Sequence, residues 1–383
     1  MSNIFSQHHY AVTAKKRYRV NWTPAHTKTS VLSFGGGMRF IFFLLIFAGL
    51  TGCGPSGTGP DLRHINVQIK WERFDQALFS IDTNHLETAL ADLQRKYPQF
   101  APLYLEQVLG LGGNDSTLRT EGTRLFLRQH RQVYDTVQDV FTTTAQQEQQ
   151  IEEGFRYVRQ YFPDYQVPRT IYATVGPMDA LPALSTGEPS PVFMGEDFVA
   201  IGLQFYLGRT FSVYNDPNFA ATLVPQFRSR RFSREYLAAD LFRLVVDDLY
   251  PDSSKRLPLV EQFVEKGKRL HLLQQFLPGM HDTLLMGYTG AQLDWCRANQ
   301  RSIYNFFADQ QLLYERDPAL IQNFLTDGPF TRGLPPESPG NIGLFVGTEI
   351  VRAWVKKNKQ VTPEAMLKTS ARSIYNGSAY KPR

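Results

Sequence analysis

The chain has 383 residues, a formal net charge of +5 and a sequence pI near 9.0. Six of its 41 Lys and Arg residues but none of its 36 acids lie before Cys53, so the rest of the chain carries 35 bases against 36 acids. The basic pI therefore belongs to the N-terminal end, and no nucleic-acid partner is expected.

The first 37 residues contain five Lys or Arg, no acid, and a Gly35-Gly36-Gly37 run directly before Met38. Such a segment fits either the long cationic start of a signal sequence or an N-terminal extension created by a gene-start error. We favour the second interpretation, with translation beginning at Met38. A precursor peptide that spans Lys28 to Met38 would exclude it.

Residues 38–52 have the pattern of a lipoprotein signal peptide. Met38-Arg39 is a short cationic start, residues 40–50 form an apolar run, and Leu50-Thr51-Gly52-Cys53 resembles the bacterial lipobox. In that class of protein the Cys sulfur takes a diacylglycerol and the leader is removed. Cys53 is therefore the predicted lipidation site, and a membrane is the predicted partner through the lipid anchor.

Two other interpretations of the apolar run are a retained anchor helix and a buried core segment. A membrane-spanning helix needs about 20 apolar residues. The run at 40–50 is shorter, and Gly52, Gly54 and Pro55 follow it. The lipoprotein interpretation is therefore preferred.

The chain after the leader divides into a tether, residues 53–60, and a globular domain, residues 61–383. The tether is rich in Gly, Pro, Ser and Thr, a composition typical of flexible linkers. Once Cys53 is acylated only Cys296 remains, so no intramolecular disulfide can form. Cys296 lies in a helical pattern and is predicted to be a small buried hydrophobe.

The domain is predicted to be α+β, mostly helical with a small central antiparallel or mixed sheet. Alternating apolar residues predict a strand from Ile65 to Trp71, and β-branched runs predict strands at 169–175, 191–194 and 197–201. Helices are predicted at 85–111 with a break near Pro98, and at 121–141, 146–162, 260–276, 291–313, 318–325 and 344–357. The glycine cluster at 110–113 lacks the ending of a phosphate-binding loop and predicts a turn.

A further helix is predicted from Ser233, as N-cap, to Pro251. Asp240, Arg243 and Asp247 share one face of it at spacings of three and four. These side chains either point into a cleft or form a ladder of ion pairs within the helix, worth a few tenths of a kcal/mol per pair. The ladder is the preferred interpretation.

Four arginines lie before or at the start of that helix and are interleaved with aromatic residues: Arg228, Arg230, Arg231 and Arg234, with Phe227 and Phe232. In an exported protein such a cluster fits an anionic lipid surface or an acidic patch on a partner. A solvated loop is the preferred interpretation.

The last long helix carries Gly343 and Gly347 on one face, which predicts that another backbone approaches closely there. Glu349 and Arg352 lie one turn apart in the same helix. They are predicted to form a structural ion pair rather than a substrate clamp.

No catalytic residue, metal or cofactor is predicted, and enzymatic activity is not expected. The sequence has no Gly-x-Ser-x-Gly elbow and no dinucleotide fingerprint. No two histidines after Cys53 stand at zinc-ligand spacing: His64, His85, His130, His271 and His281.

Four segments taken in order resemble GldB, the gliding-motility-associated lipoprotein family of Bacteroidetes. They are residues 69–75, residues 198–208, Gly287-Tyr288-Thr289 with Trp295, and Ser338-Pro339-Gly340-Asn341-Ile342-Gly343 with Gly347 and Ile350-Val351. The resemblance covers about residues 53–383. It implies a cell-envelope lipoprotein needed for surface gliding and linked to the type IX secretion system. It also implies a non-catalytic structural or assembly role, with other gliding or secretion envelope proteins as partners.

The predicted location is the outer membrane, with the domain facing the periplasm. Gly54 follows Cys53, so the Asp-type signal that retains lipoproteins in the inner membrane of enterobacteria is missing. This feature favours the outer membrane.

A second resemblance supplies an enzyme alternative. A small sheet, an amphipathic helix and a late Pro-Gly-x-Ile-Gly helix are similar in layout to predicted zinc proteases of the His-Glu-x-x-His type. Such a site needs two His one turn apart and a Glu, whereas this helix offers residues 235–240 without a His. The alternative is a periplasmic hydrolase-like protein descended from a zinc protease that has lost its metal site.

Overall fold

A computed structural model describes residues 60–113 and 115–382. They are mostly helical and contain a small sheet, which confirms the predicted α+β class. The helices are α1 (Phe74–Phe79), α2 (Leu86–Lys96), α3 (Ala101–Leu103), α4 (Ser116–Gln129), α5 (Arg131–Val140), α6 (Ala145–Tyr161), α7 (Pro217–Thr222), α8 (Gln226–Ser229), α9 (Leu237–Leu249), α10 (Leu259–Phe276), α11 (Asp282–Met286), α12 (Gly290–Ala298), α13 (Gln300–Asp309), α14 (Pro318–Leu325), α15 (Ile342–Lys357), α16 (Pro363–Lys368) and α17 (Ala371–Ser378). Within the described ranges, none of them combines the length and the apolar character needed to cross a bilayer.

The sheet is mixed, as predicted. Its strands are β1 (Lys70–Arg73), β2 (Thr170–Thr174), β3 (Val192–Met194) and β4 (Phe198–Gly202), in the spatial order β1-β2-β4-β3. The β1–β2 and β2–β4 pairs are parallel, and β3 runs antiparallel to β4. Every residue of β4 is buried, as expected for a strand that is covered on both faces.

The first strand begins at Lys70 rather than at Ile65. Lys70 pairs with Thr170, the first residue of β2, so the chain before Lys70 has no strand to pair with. The backbone N–H of Ile69 instead donates to the Glu152 carboxylate at 3.3 Å. The alternating apolar side chains before β1 are nevertheless more buried than their neighbours. The alternation therefore identified which side chains face inward, but it did not show where the hydrogen bonding between β1 and β2 begins.

Two of the predicted long helices are interrupted. The helix predicted at 121–141 is divided between α4 and α5 at His130, and the one predicted at 291–313 is divided between α12 and α13 at Asn299. Both residues bond back to a carbonyl four positions earlier, at 3.1 Å for His130 Nδ1 and 2.9 Å for Asn299 Nδ2. A side chain that takes a backbone carbonyl in this way competes with continuation of the helix.

Aromatic rings fill the space between the sheet and the first helices. Phe100 stacks on Tyr172 of β2 with ring centroids 4.0 Å apart. It also meets Phe74 of α1 and Phe198 of β4 edge to face, at 4.8 and 5.3 Å. Such pairs add about 0.5–1.5 kcal/mol beyond area burial. They join α1 to β2 and β4.

Helices α10 and α15 pack closely against each other because glycines lie at their contact. A Cβ added at Gly347 would overlap the carbonyl oxygen of Phe263, and one added at Gly267 would overlap the carbonyl oxygen of Gly347. At Gly343 a Cβ would overlap the Phe263 ring. The predicted close approach of a second backbone is therefore confirmed, and that backbone belongs to α10.

An ion-pair cluster joins α15 to α11. Arg352 pairs with Glu349 at 2.8 Å, which confirms the predicted intrahelical pair. Arg352 also pairs with Asp282 at 2.9 Å, and Asp282 forms a second ion pair, with Arg297, at 3.0 Å. The pair is therefore one part of a four-residue cluster that connects three helices.

We predict that Gly347→Ala destabilises the protein. The added methyl group has no space against the α10 backbone, and overpacking of this kind costs about 1–3 kcal/mol, occasionally more. Urea unfolding should therefore give a free energy lower by about 2 kcal/mol. Gly290→Ala is the matched control, because a Cβ at Gly290 would meet no atom within 4 Å. Equal stability of the two variants would contradict the packing account.

We also predict a pH-dependent loss of stability from His271. Burial and the nearby Arg352 lower the pKa of His271 to about 4, whereas an unfolded His titrates near pH 6.5. Between those pH values the unfolded state binds a proton that the folded state does not, so stability falls as the pH falls. The loss should reach about 3 kcal/mol by pH 4. His271→Gln should lose correspondingly less in the same urea titrations; equal losses would refute the assignment to His271.

Candidate functional site

A cleft of about 140 Å³ is lined by loop 181–191, α9, α10, α11 and the start of α15. Its walls are partly apolar. The charged residues that line it are Glu188, Arg228, Arg231, Asp240, Arg243, Lys266, Arg269 and Asp327. Five cations and three acids therefore face the same space.

Asp240 and Arg243 form the polar face of α9 inside the cleft. The apolar residues of α9 are buried, and this leaves the opposite face for charged side chains. Asp240 pairs with Arg243 and accepts a hydrogen bond from the Tyr206 hydroxyl at 3.1 Å. Arg243 also donates to two carbonyls of α11 at 2.9 Å. Burial raises the pKa of Asp240, although Arg243 and Arg231 act against this. The two residues thus form an intrahelical pair and also line a cleft.

Asp247 does not continue the predicted ladder. It pairs with Arg269 of α10 at 2.6 Å. It also accepts from the Ser185 backbone N–H at 2.8 Å and from the Ser185 hydroxyl. Asp247 therefore fastens loop 181–191 to α9 and α10, and the ladder interpretation is wrong for this residue.

Arg228 and Arg231 share one carboxylate. Arg231 pairs with Asp327, and Arg228 Nε lies 3.6 Å from the same oxygen. The side chains of Arg228 and Arg231 are only 26% and 21% exposed. Burial lowers the pKa of Arg231, but Asp327, Asp240 and Glu188 together raise it above its usual value, so this guanidinium faces three carboxylates at the cleft.

The other two arginines of the cluster bind acceptors elsewhere. Arg230 donates to the carbonyl of Gly287 at 3.2 Å and to Gln292 Oε1 at 3.1 Å. Arg234 donates to the carbonyl of Val140 at 3.0 Å and lies over the Phe141 ring. The preferred interpretation of a solvated loop is therefore wrong, because each arginine finds an acceptor on a facing element.

Asn341 stands at the N-terminus of α15 and lines the cleft. It adopts the left-handed region with φ of 55°, which Asn tolerates better than most residues. Its carbonyl accepts from the Tyr288 hydroxyl at 2.8 Å. The side chain is different: Asn341 is 8% exposed, and Oδ1 has no hydrogen-bond partner within the described residues. Asn341 is thus a cleft-lining residue whose side-chain oxygen is buried away from solvent.

The described residues contain no group of three or more His, Cys, Asp or Glu placed to hold a metal ion. Cys296 is fully buried, and burial raises its pKa to about 12. It is the buried hydrophobe that the sequence predicts. Cys53, the predicted signal peptide, the tether up to residue 59 and the N-terminal extension lie outside the described residues.

A family model described as gliding motility protein GldB matches residues 56–382. This chain belongs to the GldB family. The family resemblance is confirmed, and membership in a lipoprotein family associates the protein with the cell envelope and with gliding motility. No curated protein and no solved structure matches the chain. The zinc-protease-like layout stays a prediction.

Three of the segments that carry the GldB resemblance meet at the cleft. Tyr206 binds Asp240, Tyr288 lines the cleft, and Asn341 accepts from Tyr288. The sequence identified these segments but did not indicate that they lie close together at one cleft. Nothing in the local pattern indicates Asp327 as the partner of two arginines about 100 residues earlier.

We predict that Asp247→Asn loosens loop 181–191. The substitution removes the negative charge opposite Arg269, and this largely buried guanidinium keeps its hydrogen bond to the Tyr250 carbonyl but loses its counter-charge, which should cost about 2–3 kcal/mol. Limited proteolysis should cut the loop faster, and urea unfolding should report the lower stability. Glu364→Gln, which breaks an exposed i,i+4 pair with Lys368, should change stability by less than about 0.5 kcal/mol. An unchanged cleavage rate in Asp247→Asn would show that Asp247 does not hold the loop.

Proposed function

We propose that the protein is a lipid-anchored, non-catalytic structural or assembly component of the gliding machinery that is linked to type IX secretion. The observation that carries the proposal is the family match, which begins at residue 56, three positions after the predicted lipidation site Cys53, and runs to residue 382. Acylation at Cys53 holds the domain at the outer membrane facing the periplasm. Its partners are other gliding or secretion envelope proteins.

The bonding of the cleft's carboxylates supports an assembly role. Of the three carboxylates that line the cleft, Asp240 and Asp327 are each engaged by an arginine, whereas Glu188 is in no ion pair within the described chain. A general base must reach the proton that it abstracts, and carboxylates held in ion pairs are poorly suited to that task. The helix that corresponds to the protease layout contributes residues 235–240, none of which is His.

Deletion of the gene in the native bacterium tests the proposal. The deletion strain should fail to spread on agar, and the wild-type gene should restore spreading. Cross-linking in the complemented strain should capture envelope proteins of the gliding or secretion machinery. Normal spreading by the deletion strain would contradict the proposal. Turnover of a peptide or ester substrate by the purified protein would favour the hydrolase alternative.

The anchor is tested by Cys53→Ser in the same strain. This variant should lose palmitate labelling, leave the membrane pellet and fail to restore spreading. Cys296→Ala is the matched control, because its thiol is fully buried and lies far along the chain from the lipobox. Palmitate labelling that persists in Cys53→Ser would place the lipid elsewhere.

A further inference from the structure

A second pocket carries positive charge without any acid. Six residues line it: Arg209, Thr210, Asn215, Gln226, Ser229 and Arg230. Two of them are cations, and the other four are polar and uncharged. The cleft described above, in contrast, mixes five cations with three acids. A lining of one sign attracts ligands of the opposite sign, so this pocket favours an anion.

The guanidinium of Arg230 retains hydrogen-bond donors for a ligand. Its Nη2 donates to two uncharged acceptors, the Gly287 carbonyl at 3.2 Å and Gln292 Oε1 at 3.1 Å. Its Nε and Nη1 make no hydrogen bond within residues 60–113 and 115–382. Arg230 is therefore held in place by two acceptors while part of its fork stays available.

The charge of Arg230 is half-buried and is in no ion pair within the described part of the chain. Asp327 acts on it through space, but this carboxylate already pairs with Arg231 and lies 3.6 Å from Arg228. Burial and Arg231 lower the pKa of Arg230, although Tyr236 and Asp327 act against this. The protein thus leaves this charge incompletely compensated.

The other side of the pocket supplies further donors. Arg209 and Thr210 are exposed, and neither side chain has a hydrogen-bond or ion-pair partner among the described residues. The same holds for the side-chain amide of Gln226. A second guanidinium, a hydroxyl and an amide are therefore free to bind an anion that Arg230 attracts.

This set of donors fits a phosphate monoester better than a carboxylate or a phosphate diester. A monoester carries a charge of about −1.5 to −2 at pH 7 and three strong acceptor oxygens. A carboxylate and a diester each carry a single charge and offer two charged oxygens. Two guanidinium groups match the larger charge, and arginine binds phosphate through two parallel hydrogen bonds.

The position of the pocket favours a soluble ligand over a headgroup of the anchoring membrane. Arg234, four residues after Arg230, donates to Gln147 in the first turn of α6 at 3.3 Å. Arg159, near the end of α6, donates to the Asn66 carbonyl, close to the start of the domain, at 2.8 Å. The two contacts lie 12 residues apart on α6, which is about 18 Å. The arginine segment and the predicted anchor are thus attached at opposite ends of this helix.

We propose that the pocket of Arg209 and Arg230 binds the phosphate group of a water-soluble phosphate monoester. The two guanidinium groups pair with its oxygens, and Thr210 and Gln226 donate to those that remain. The site itself does not rest on the gliding role. The choice of a soluble ligand rests on the predicted anchor at Cys53.

The test is isothermal titration calorimetry of the full-length protein in a nonionic detergent. Glycerol 3-phosphate is the monoester probe and should bind. Dimethyl phosphate, a diester, should bind at least about 5-fold more weakly, because it has a single charge and fewer charged oxygens. Acetate should be weaker by a similar factor. Phosphatidylglycerol added to the micelles should leave the dissociation constant for glycerol 3-phosphate unchanged.

Variants assign the two cations. Arg230→Gln should weaken binding of glycerol 3-phosphate about 10- to 100-fold through loss of charge-assisted hydrogen bonds. Arg209→Gln should weaken it about 3- to 10-fold, because its charge is exposed and screened. Arg209 has no partner to lose, so this second variant should unfold at the wild-type temperature even if Arg230→Gln does not. Arg301→Gln, an exposed charge outside both pockets, is the matched control and should bind as the wild type does.

Four outcomes would overturn the proposal. They are no binding of glycerol 3-phosphate, binding of acetate or dimethyl phosphate with equal affinity, wild-type affinity in both Arg209→Gln and Arg230→Gln, and loss of the glycerol 3-phosphate signal in micelles that contain phosphatidylglycerol. The last outcome would assign the arginines to lipid headgroups. None of these measurements involves spreading on agar, so failure here is distinct from failure of the gliding role.

Discussion

The close contact between the backbones of α10 and α15 fixes the geometry on which the rest of the site depends. Gly267 and Gly347 remove the side chains that would otherwise hold the helices apart. α10 contributes Lys266, Arg269, Leu270 and Leu273 to the cleft lining, whereas α15 begins at the cleft with Asn341. A wider separation of the helices would move the polar and apolar sides of the cleft apart. Glycine at these positions is therefore a requirement of the site as well as of the core.

Ion pairs and hydrogen bonds hold the other segments that line the cleft in place. Asp247 holds loop 181–191 against α9 and α10, and Asp327 holds the two arginines that precede α9. These pairs are half-buried, so their Coulomb attraction is stronger than at the surface, and loss of one partner would leave the other charge partly buried and uncompensated. The aspartates thus position neighbouring segments around the cleft.

Local sequence patterns were sufficient to predict the secondary-structure elements but not to predict the cleft. The strands at 170–174, 192–194 and 198–202 follow from β-branched runs, and the contact at Gly347 follows from glycines one turn apart. The breaks at His130 and Asn299 were missed because a side chain's preference for a nearby carbonyl does not alter hydrophobic spacing. The sequence did not predict the cleft because the residue pairs that form it are distant from each other along the chain. Asp247 is 62 residues from Ser185, and Asp327 is 96 residues from Arg231.

The pairing of β1 with β2 also bears on how the chain folds. Lys70 meets Thr170, so the first strand finds its neighbour only after a long helical stretch has been synthesised. Closing so large a loop is entropically slow, and non-local parallel pairing is associated with slow folding. Until β2 arrives, the apolar segment before and within β1 is exposed near the N-terminal end of the domain. A chaperone would therefore meet this protein first at its N-terminal strand.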